Sequence, residues 1–188
     1  MKLLLSLLAL GLTLSANITL PQNFQTNFQQ SIQNDKGKVI NYEGTLFFKN
    51  LEQTFTNDLG EATSYSRSVF KWTYTAPTQK EVCTDSTQLI VVDHDLEQVS
   101  NYLIDDGINL DEILKIAQKI SSTDYTARYK EIEYLITLDK KTQLQQIMYV
   151  DSLDNTVKIV FKNMHYNSNI DDSVLECKIP NMYDIIKG

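Results

Sequence analysis

The sequence predicts a mainly β (α+β) domain: about ten antiparallel strands in one curved sheet, with two or three helices covering a face of it. Three observations carry that prediction. Period-two hydrophobic alternation runs through most of the chain. Turn-prone residues separate the alternating runs at hairpin spacing. Only two stretches carry a helical apolar stripe. The clearest strand is 69–74, where Phe70, Trp72 and Tyr74 alternate with Lys71 and Thr73 and so place three aromatics on one face. It contains the only tryptophan of the chain.

With 188 residues there is room for one domain with a sizeable core. A net charge of −7 argues against nucleic acid as a partner, since phosphate binding needs clustered Lys and Arg. It equally disfavours docking on anionic lipid through a polybasic patch. Met1-Lys2, the apolar run Leu3–Leu14 and the small residues Ser15-Ala16 have the order of a secretory signal peptide over residues 1–16, followed by a single exported domain over 17–188. That apolar run is shorter than the roughly 20 residues a membrane span needs. No cysteine follows it directly, so lipidation of the mature N-terminus is not expected. Cys83 and Cys177 are an even pair in an oxidising compartment. They are either a disulfide worth on the order of 4 kcal/mol or two buried thiols acting as small apolar groups.

In chain order, Pro21 suits a first helical turn, and Phe24, Phe28 and Ile32 recur every four residues among polar neighbours. That spacing predicts an amphipathic helix ended by Asn34–Gly37. Strands Lys38–Tyr42 and Thr45–Lys49 follow around Glu43-Gly44, with Leu46 and Phe48 on one face. Leu51–Ser68 is polar and poorly periodic, either an extended hairpin turning at Asn57–Gly60 or a mobile insertion. Ala76-Pro77 stops the aromatic strand, because proline offers no donor to a ladder. Further strands are expected at Glu81–Thr84, at Leu89–Val92 and from Leu96, with turns at Asp85-Ser86 and Asp93-His94-Asp95. Asn109 and Glu112 form a capping box for a second helix, Leu110–Ser121, whose apolar face is Leu110, Ile113, Leu114, Ala117 and Ile120. Period two then returns in Tyr125–Lys130, Glu133–Asp139, Leu144–Asp151, Thr156–His165 and Leu175–Ile179.

The sequence contains no catalytic constellation. The two histidines, His94 and His165, lack neighbours at metal-ligand spacing, so neither a metal nor a cofactor is expected. There is no G-x-S-x-G, Walker A or G-x-G-x-x-G pattern. The acidic pairs Asp105-Asp106, Asp111-Glu112 and Asp171-Asp172 fall at a helix start or in loops, as solvated charges. What remains is a protein that holds something rather than an enzyme.

Several pieces occur together in a recognisable order: Phe24-x-x-x-Phe28-x-Gln30, Gly44-Thr45-Leu46, Phe70-Lys71-Trp72-x-Tyr74-x-x-Pro77 and Asp93-His94-Asp95-Leu96-Glu97-Gln98-Val99. They are joined by Tyr149-x-Asp151-x-x-Asp154-Asn155-x-x-x-Ile159-x-Phe161 and Ile179-Pro180. This set resembles the LolA family of outer-membrane lipoprotein carriers. The resemblance implies an incomplete antiparallel β-barrel of ten to eleven strands with a lid of two or three helices. It implies a monomeric periplasmic chaperone that takes acylated lipoproteins from an inner-membrane ABC transporter and hands them to an outer-membrane receptor. Under that reading, strand parity assigns Leu46, Phe48, Phe70, Trp72 and Tyr74 to an acyl-chain-binding inner face. Phe24, Phe28, Leu110, Ile113, Leu114 and Ala117 would face them from the lid. The family's Arg-Pro after the Gly44 strand, whose arginine ties barrel to lid, is missing; Lys49 and Arg67 are the nearby cations. The alternative on the same barrel is an envelope lipid-binding sensor. The receptor itself would need a cysteine after the signal peptide, and a hydrolase would need the catalytic groups found wanting above.

Overall fold

The computed structural model describes residues 18–84, 88–103 and 110–187. The expected signal peptide, the Asp85-Ser86 turn, the Asp105-Asp106 pair and the Asn109 cap lie outside that set. The described chain forms strands β1 (Asn23–Gln33), β2 (Val39–Thr56), β3 (Ala62–Ala76), β4 (Lys80–Thr84), β5 (Gln88–Asp93) and β6 (Gln98–Leu103). Helix α1 (Leu110–Lys115) precedes β7 (Gln118–Lys119), β8 (Asp124–Tyr129), β9 (Ile132–Leu138), β10 (Leu144–Val150) and β11 (Thr156–Tyr166). Helix α2 (Asp172–Leu175) and β12 (Asp184–Lys187) complete it.

All twelve described strands lie in one sheet, ordered β12-β6-β5-β4-β3-β2-β1-β11-β10-β9-β8-β7. Neighbours are antiparallel except β12, which runs parallel to β6. The two ends of the order, β7 and β12, are not paired with each other, so the sheet is open.

The largest departure from expectation is at the start. The stretch carrying Phe24, Phe28 and Ile32 is strand β1, not a helix, and it pairs with β2 and β11. A spacing of four satisfies both periods, since i and i+4 share a face in a strand as well as in a helix. The inward positions between these aromatics are polar but satisfied. Thr26 is buried, and its hydroxyl donates to the Lys162 carbonyl at 2.9 Å, beside the register shift between Gln25 and Asn27. Gln30 accepts from the Tyr74 hydroxyl at 3.2 Å.

Glu43-Gly44 does not separate two strands. The chain continues through it as β2, with a register shift against β3 between Glu43 and Gly44. Gly44 is there for space: a Cβ would lie 1.9 Å from the Thr73 carbonyl oxygen and 3.0 Å from the Phe28 ring. Of the two expectations for Leu51–Ser68, the extended hairpin holds. β2 and β3 stay paired out to Thr56 and Ala62, beyond the last β1 partner at Lys49. This arm stacks Phe55 on Tyr65 with ring centroids 5.1 Å apart, and it turns at Gly60 (φ 81°) with Leu59 exposed.

The expected helix Leu110–Ser121 shortens to the six residues of α1; the Ala117 amide donates to the Leu114 carbonyl and the chain enters β7. Leu175–Ile179 is not a strand. Asp171 caps α2 by accepting from the Ser173 amide at 2.9 Å, and the segment after it crosses the convex side of the sheet. Ile170 and Leu175 pack there on Val69, Phe47 and Leu51. Lys49 donates to the Ile170 carbonyl (3.2 Å) and pairs with Asp172 (2.6 Å). Buried Lys71 bridges Glu81 (3.0 Å) and the Glu176 carbonyl (2.9 Å). Cys83 and Cys177 are disulfide-bonded across a sequence separation of 94. The two or three lid helices of the expectation therefore reduce, among the described residues, to α1 alone on the concave side.

Candidate binding site on the concave face

Cross-strand register places the concave residues in rows. Phe48, Phe70, Thr84, Leu89 and Tyr102 form one, and Leu46, Trp72, Val82, Val91 and Ser100 the next. A third runs from Phe28 through Gly44 to Tyr74, Lys80, Asp93 and Gln98. The first two rows are largely apolar and the third is polar. At its end Lys80 pairs with Asp93 at 3.0 Å. That pair, with the Leu96 and Asp95 amides, outweighs the effect of burial and holds the Asp93 carboxyl below its ordinary value.

Phe28 anchors the centre. Its ring lies over Gly44, edge-on to Trp72 at 4.8 Å and to Tyr74 at 5.1 Å. Phe24 stacks on Phe48 at 4.9 Å. Ile113, Leu114 and Ala117 descend from α1 and the residues after it, and are buried with Tyr125, Leu138, Leu144 and Phe161. All eleven residues expected at the site thus belong to one concave cluster: Phe24, Phe28, Leu46, Phe48, Ile113, Leu114 and Ala117 buried, and Leu110, Phe70, Trp72 and Tyr74 half-buried against them. The assignment of Phe24 and Phe28 to the lid is corrected; both belong to the sheet wall.

Two sides of the concavity differ. Beneath α1 the core is tight. Along β3–β6, by contrast, Phe70, Trp72, Val82, Leu89 and Val91 are only half-covered, and Tyr102 is 47% exposed. Val82, Leu89 and Val91 were not among the expected residues, though carrying the parity of Trp72 through the next two hairpins finds them. Tyr134 and Tyr149 were also missed; they pack at 5.1 Å on the inner side of β9 and β10.

Neither histidine joins this face. His94 Nδ1 lies 3.1 Å from the Tyr183 hydroxyl, and His165 is exposed. Glu81, Cys83 and Cys177 lie within ligand distance of one another, but the two sulfurs are bonded together. An open hollow of about 460 Å³ is lined by Gln29, Ser31, Asn41, Glu43 and Lys158 together with Gln30, Tyr42, Ala76 and Val160.

The family model described as outer membrane lipoprotein carrier protein LolA matches residues 68–178. The outer-membrane lipoprotein carrier protein of Campylobacter jejuni is 33% identical to this chain, covering 87% of it and 86% of its own length. The chain belongs to the LolA family. A second carrier of that description, from Helicobacter hepaticus, is 28% identical over 88% of this chain and 84% of its own length. Among solved structures, a LolA superfamily protein from Nitrosomonas europaea covers 85% of this chain and 93% of its own at 11% identity and a TM-score of 0.48. Lys49 is committed to the convex α2 segment, and Arg67 is on the β3 side of the arm.

Proposed function

We propose that this protein is a periplasmic carrier that shelters lipoprotein acyl chains on its concave face. It takes them from an inner-membrane ABC transporter and passes them, as a monomer, to an outer-membrane receptor. Among the described residues, the observation that carries this reading is the half-covered apolar wall of Phe70, Trp72, Val82, Leu89 and Val91, continuous with a sealed core. A soluble protein gains nothing from leaving such a surface open unless something apolar visits it. An acyl chain of about 16 carbons exposed to water costs on the order of 10 kcal/mol, at roughly 0.8 kcal/mol per methylene. The wall supplies side chains to bury it.

Release requires a cover that lifts. Helix α1 is held by few anchors: Ile113, Leu114 and the nearby Ala117, all buried, gain roughly 4–7 kcal/mol from burial. Ordering a six-residue segment costs about 1–2 kcal/mol per residue, a comparable sum. A lid so nearly balanced opens at small cost, and an entering chain replaces the contacts it loses.

The test is reconstitution. Inner-membrane vesicles carrying the transporter and a labelled lipoprotein are mixed with the purified mature protein and ATP. The expected result is ATP-dependent appearance of lipoprotein in a soluble one-to-one complex, reduced at least tenfold by Trp72→Ala in a folded variant. Vesicles that retain all of their lipoprotein in the presence of the wild-type protein overturn the proposal.

A further inference from the structure

Polar side chains interrupt the concave apolar face in two groups. Gln30, Tyr42 and Tyr74 meet on the inner side of β1–β3: the Tyr74 hydroxyl donates to Gln30 Oε1 at 3.2 Å, and the Tyr42 and Tyr74 rings pack edge-on at 5.8 Å. Tyr134 and Tyr149 occupy the inner side of β9 and β10, with Tyr149 opposite Val157 and Tyr134 opposite Tyr149. Both groups border the same buried cluster, with Tyr134 inside it and Tyr74 and Tyr149 packed against it.

Apart from Tyr74, these groups have spare donors. The Gln30 carboxamide is engaged through its oxygen, leaving its N–H pair unused among the described residues. The hydroxyls of Tyr134 and Tyr149 make no hydrogen bond within the described residues. Burial pushes the Tyr74 phenol up to about 12, with the neighbouring Tyr42 adding to the shift, so it stays protonated and its one O–H keeps hold of Gln30 Oε1, orienting the carboxamide. Burial, then Tyr134, Tyr74 and Asp151, push the Tyr149 phenol well above its ordinary value in the same direction. A tyrosine presents an apolar body and a wet tip, the arrangement suited to a boundary between hydrocarbon and polar atoms.

We infer that Gln30, held by Tyr74, forms with Tyr42, Tyr134 and Tyr149 a carbonyl-recognition belt that donates hydrogen bonds to the ester and amide carbonyl oxygens where acyl chains join their glyceryl and amino anchors. The inference rests on the acyl-carrier reading above and deepens it. A hydrocarbon wall alone binds any alkyl chain. Carbonyls dragged into it without donors weaken binding by about tenfold or more each, because their water bonds are lost and not replaced. Donors placed at the boundary remove that loss and fix how deep the chain slides. The Phe28 ring, in contact with both Trp72 and Tyr74, marks where hydrocarbon wall gives way to belt.

The test compares two soluble probes that differ only in their carbonyls: 1,2-dioctanoyl-glycerol and its diether twin, 1,2-dioctyl-glycerol. Binding to the purified mature protein is read from the fluorescence of Trp72, the sole tryptophan. The expected result is at least tenfold tighter binding of the diester. Tyr149→Phe, which removes a donor, and Tyr74→Phe, which releases the Gln30 carboxamide, keep the rings and should each cut the diester-to-diether preference severalfold. Equal affinity of the two probes for the wild type overturns the belt and leaves the carrier reading standing. So does a matched loss of both probes in the Phe variants. No binding of either probe overturns the carrier reading and the belt with it.

Discussion

The disulfide on the convex side gives the most quantitative handle on this fold. It joins β4 to the segment after α2, so replacing both cysteines, Cys83→Ala with Cys177→Ala, removes a cross-link spanning 94 residues. In the chain-entropy model a loop of that size restricts the unfolded ensemble by about 4–5 kcal/mol. For a chain of this length each kcal/mol moves the melting temperature by about 2–4 °C. The double variant should therefore melt roughly 8–20 °C below the oxidised protein. Other ties keep the strap in place below that temperature. The Lys71 ammonium holds the Glu176 carbonyl at 2.9 Å, the Lys178 amide donates to Glu81 at 3.2 Å, and β12 pairs with β6. The assay is thermal unfolding by circular dichroism of the oxidised protein, the double variant and the wild type in reductant. The last two should coincide. Amide exchange in residues 176–187 of the variant should rise more than in β1 or β11, because only the strap loses a local anchor. A difference below about 3 °C, or free thiols in the oxidised protein, would refute the reasoning.

Gly44→Ala drives a methyl group into the Thr73 carbonyl and Phe28 ring, so a loss of about 3 kcal/mol or more is expected, read as a lowered urea midpoint. Phe28→Ala empties the centre of the concave cluster and should lose about 3–5 kcal/mol, again by urea titration, with α1 amides exchanging faster. Lys71→Met strands the Glu81 carboxylate and the Glu176 carbonyl and should cost about 3 kcal/mol, whereas Lys71→Met with Glu81→Leu should recover most of it. Acid should destabilise through Asp93 and Asp151. Burial raises both, but Lys80 and the backbone amides of Leu96 and Asp95 for the first, and Asn155 and the Leu153 amide for the second, win and lower them below 3.8. A depressed folded pKa means stability is complete above the unfolded value and is lost as pH falls through the folded one. The urea midpoint should thus drop below about pH 4, less steeply in Asp151→Asn. Tyr74 acts at the other extreme: its pKa is raised from 10.0 to about 12, so its contribution should disappear as pH climbs through that interval, and Tyr74→Phe should remove it.

How much of this was legible beforehand follows from what period two can and cannot encode. β3 was legible because Phe70, Trp72 and Tyr74 alternate with polar residues, and only a strand puts them on one face. β8 to β11 were legible for the same reason, each found within a residue or two of its ends. β1 was not, because a spacing of four fits both periods, and Thr26 and Gln30 look outward-facing in sequence. Their partners, the Lys162 carbonyl and the Tyr74 hydroxyl, come from strands 136 and 44 residues away, which no local pattern contains. The path after α2 failed for a related reason. Leu175–Ile179 has strand-like residues, but their mate is the convex surface of β2–β5 rather than another strand, and the disulfide and Lys71 that hold it there are long-range. The expected residues still fall into one apolar cluster despite both errors, because side-chain parity puts Phe24 and Phe28 on the same face in either element. Phe24 and Phe28 face Phe48 and Trp72 whether they arrive on a strand or a helix, so the greasy face was readable before its walls were. The strand assignment changes the mechanism instead. With Phe24 and Phe28 fixed in the sheet, among the described residues only α1 and the few residues that follow it remain to cover the concavity, so on the proposed carrier reading a moving cover would be Ile113, Leu114 and Ala117. Polar substitutions at Ile113 or Leu114 should accordingly leave the concave face open and raise its uptake of an apolar dye, while the same change at Phe24 should unfold the sheet.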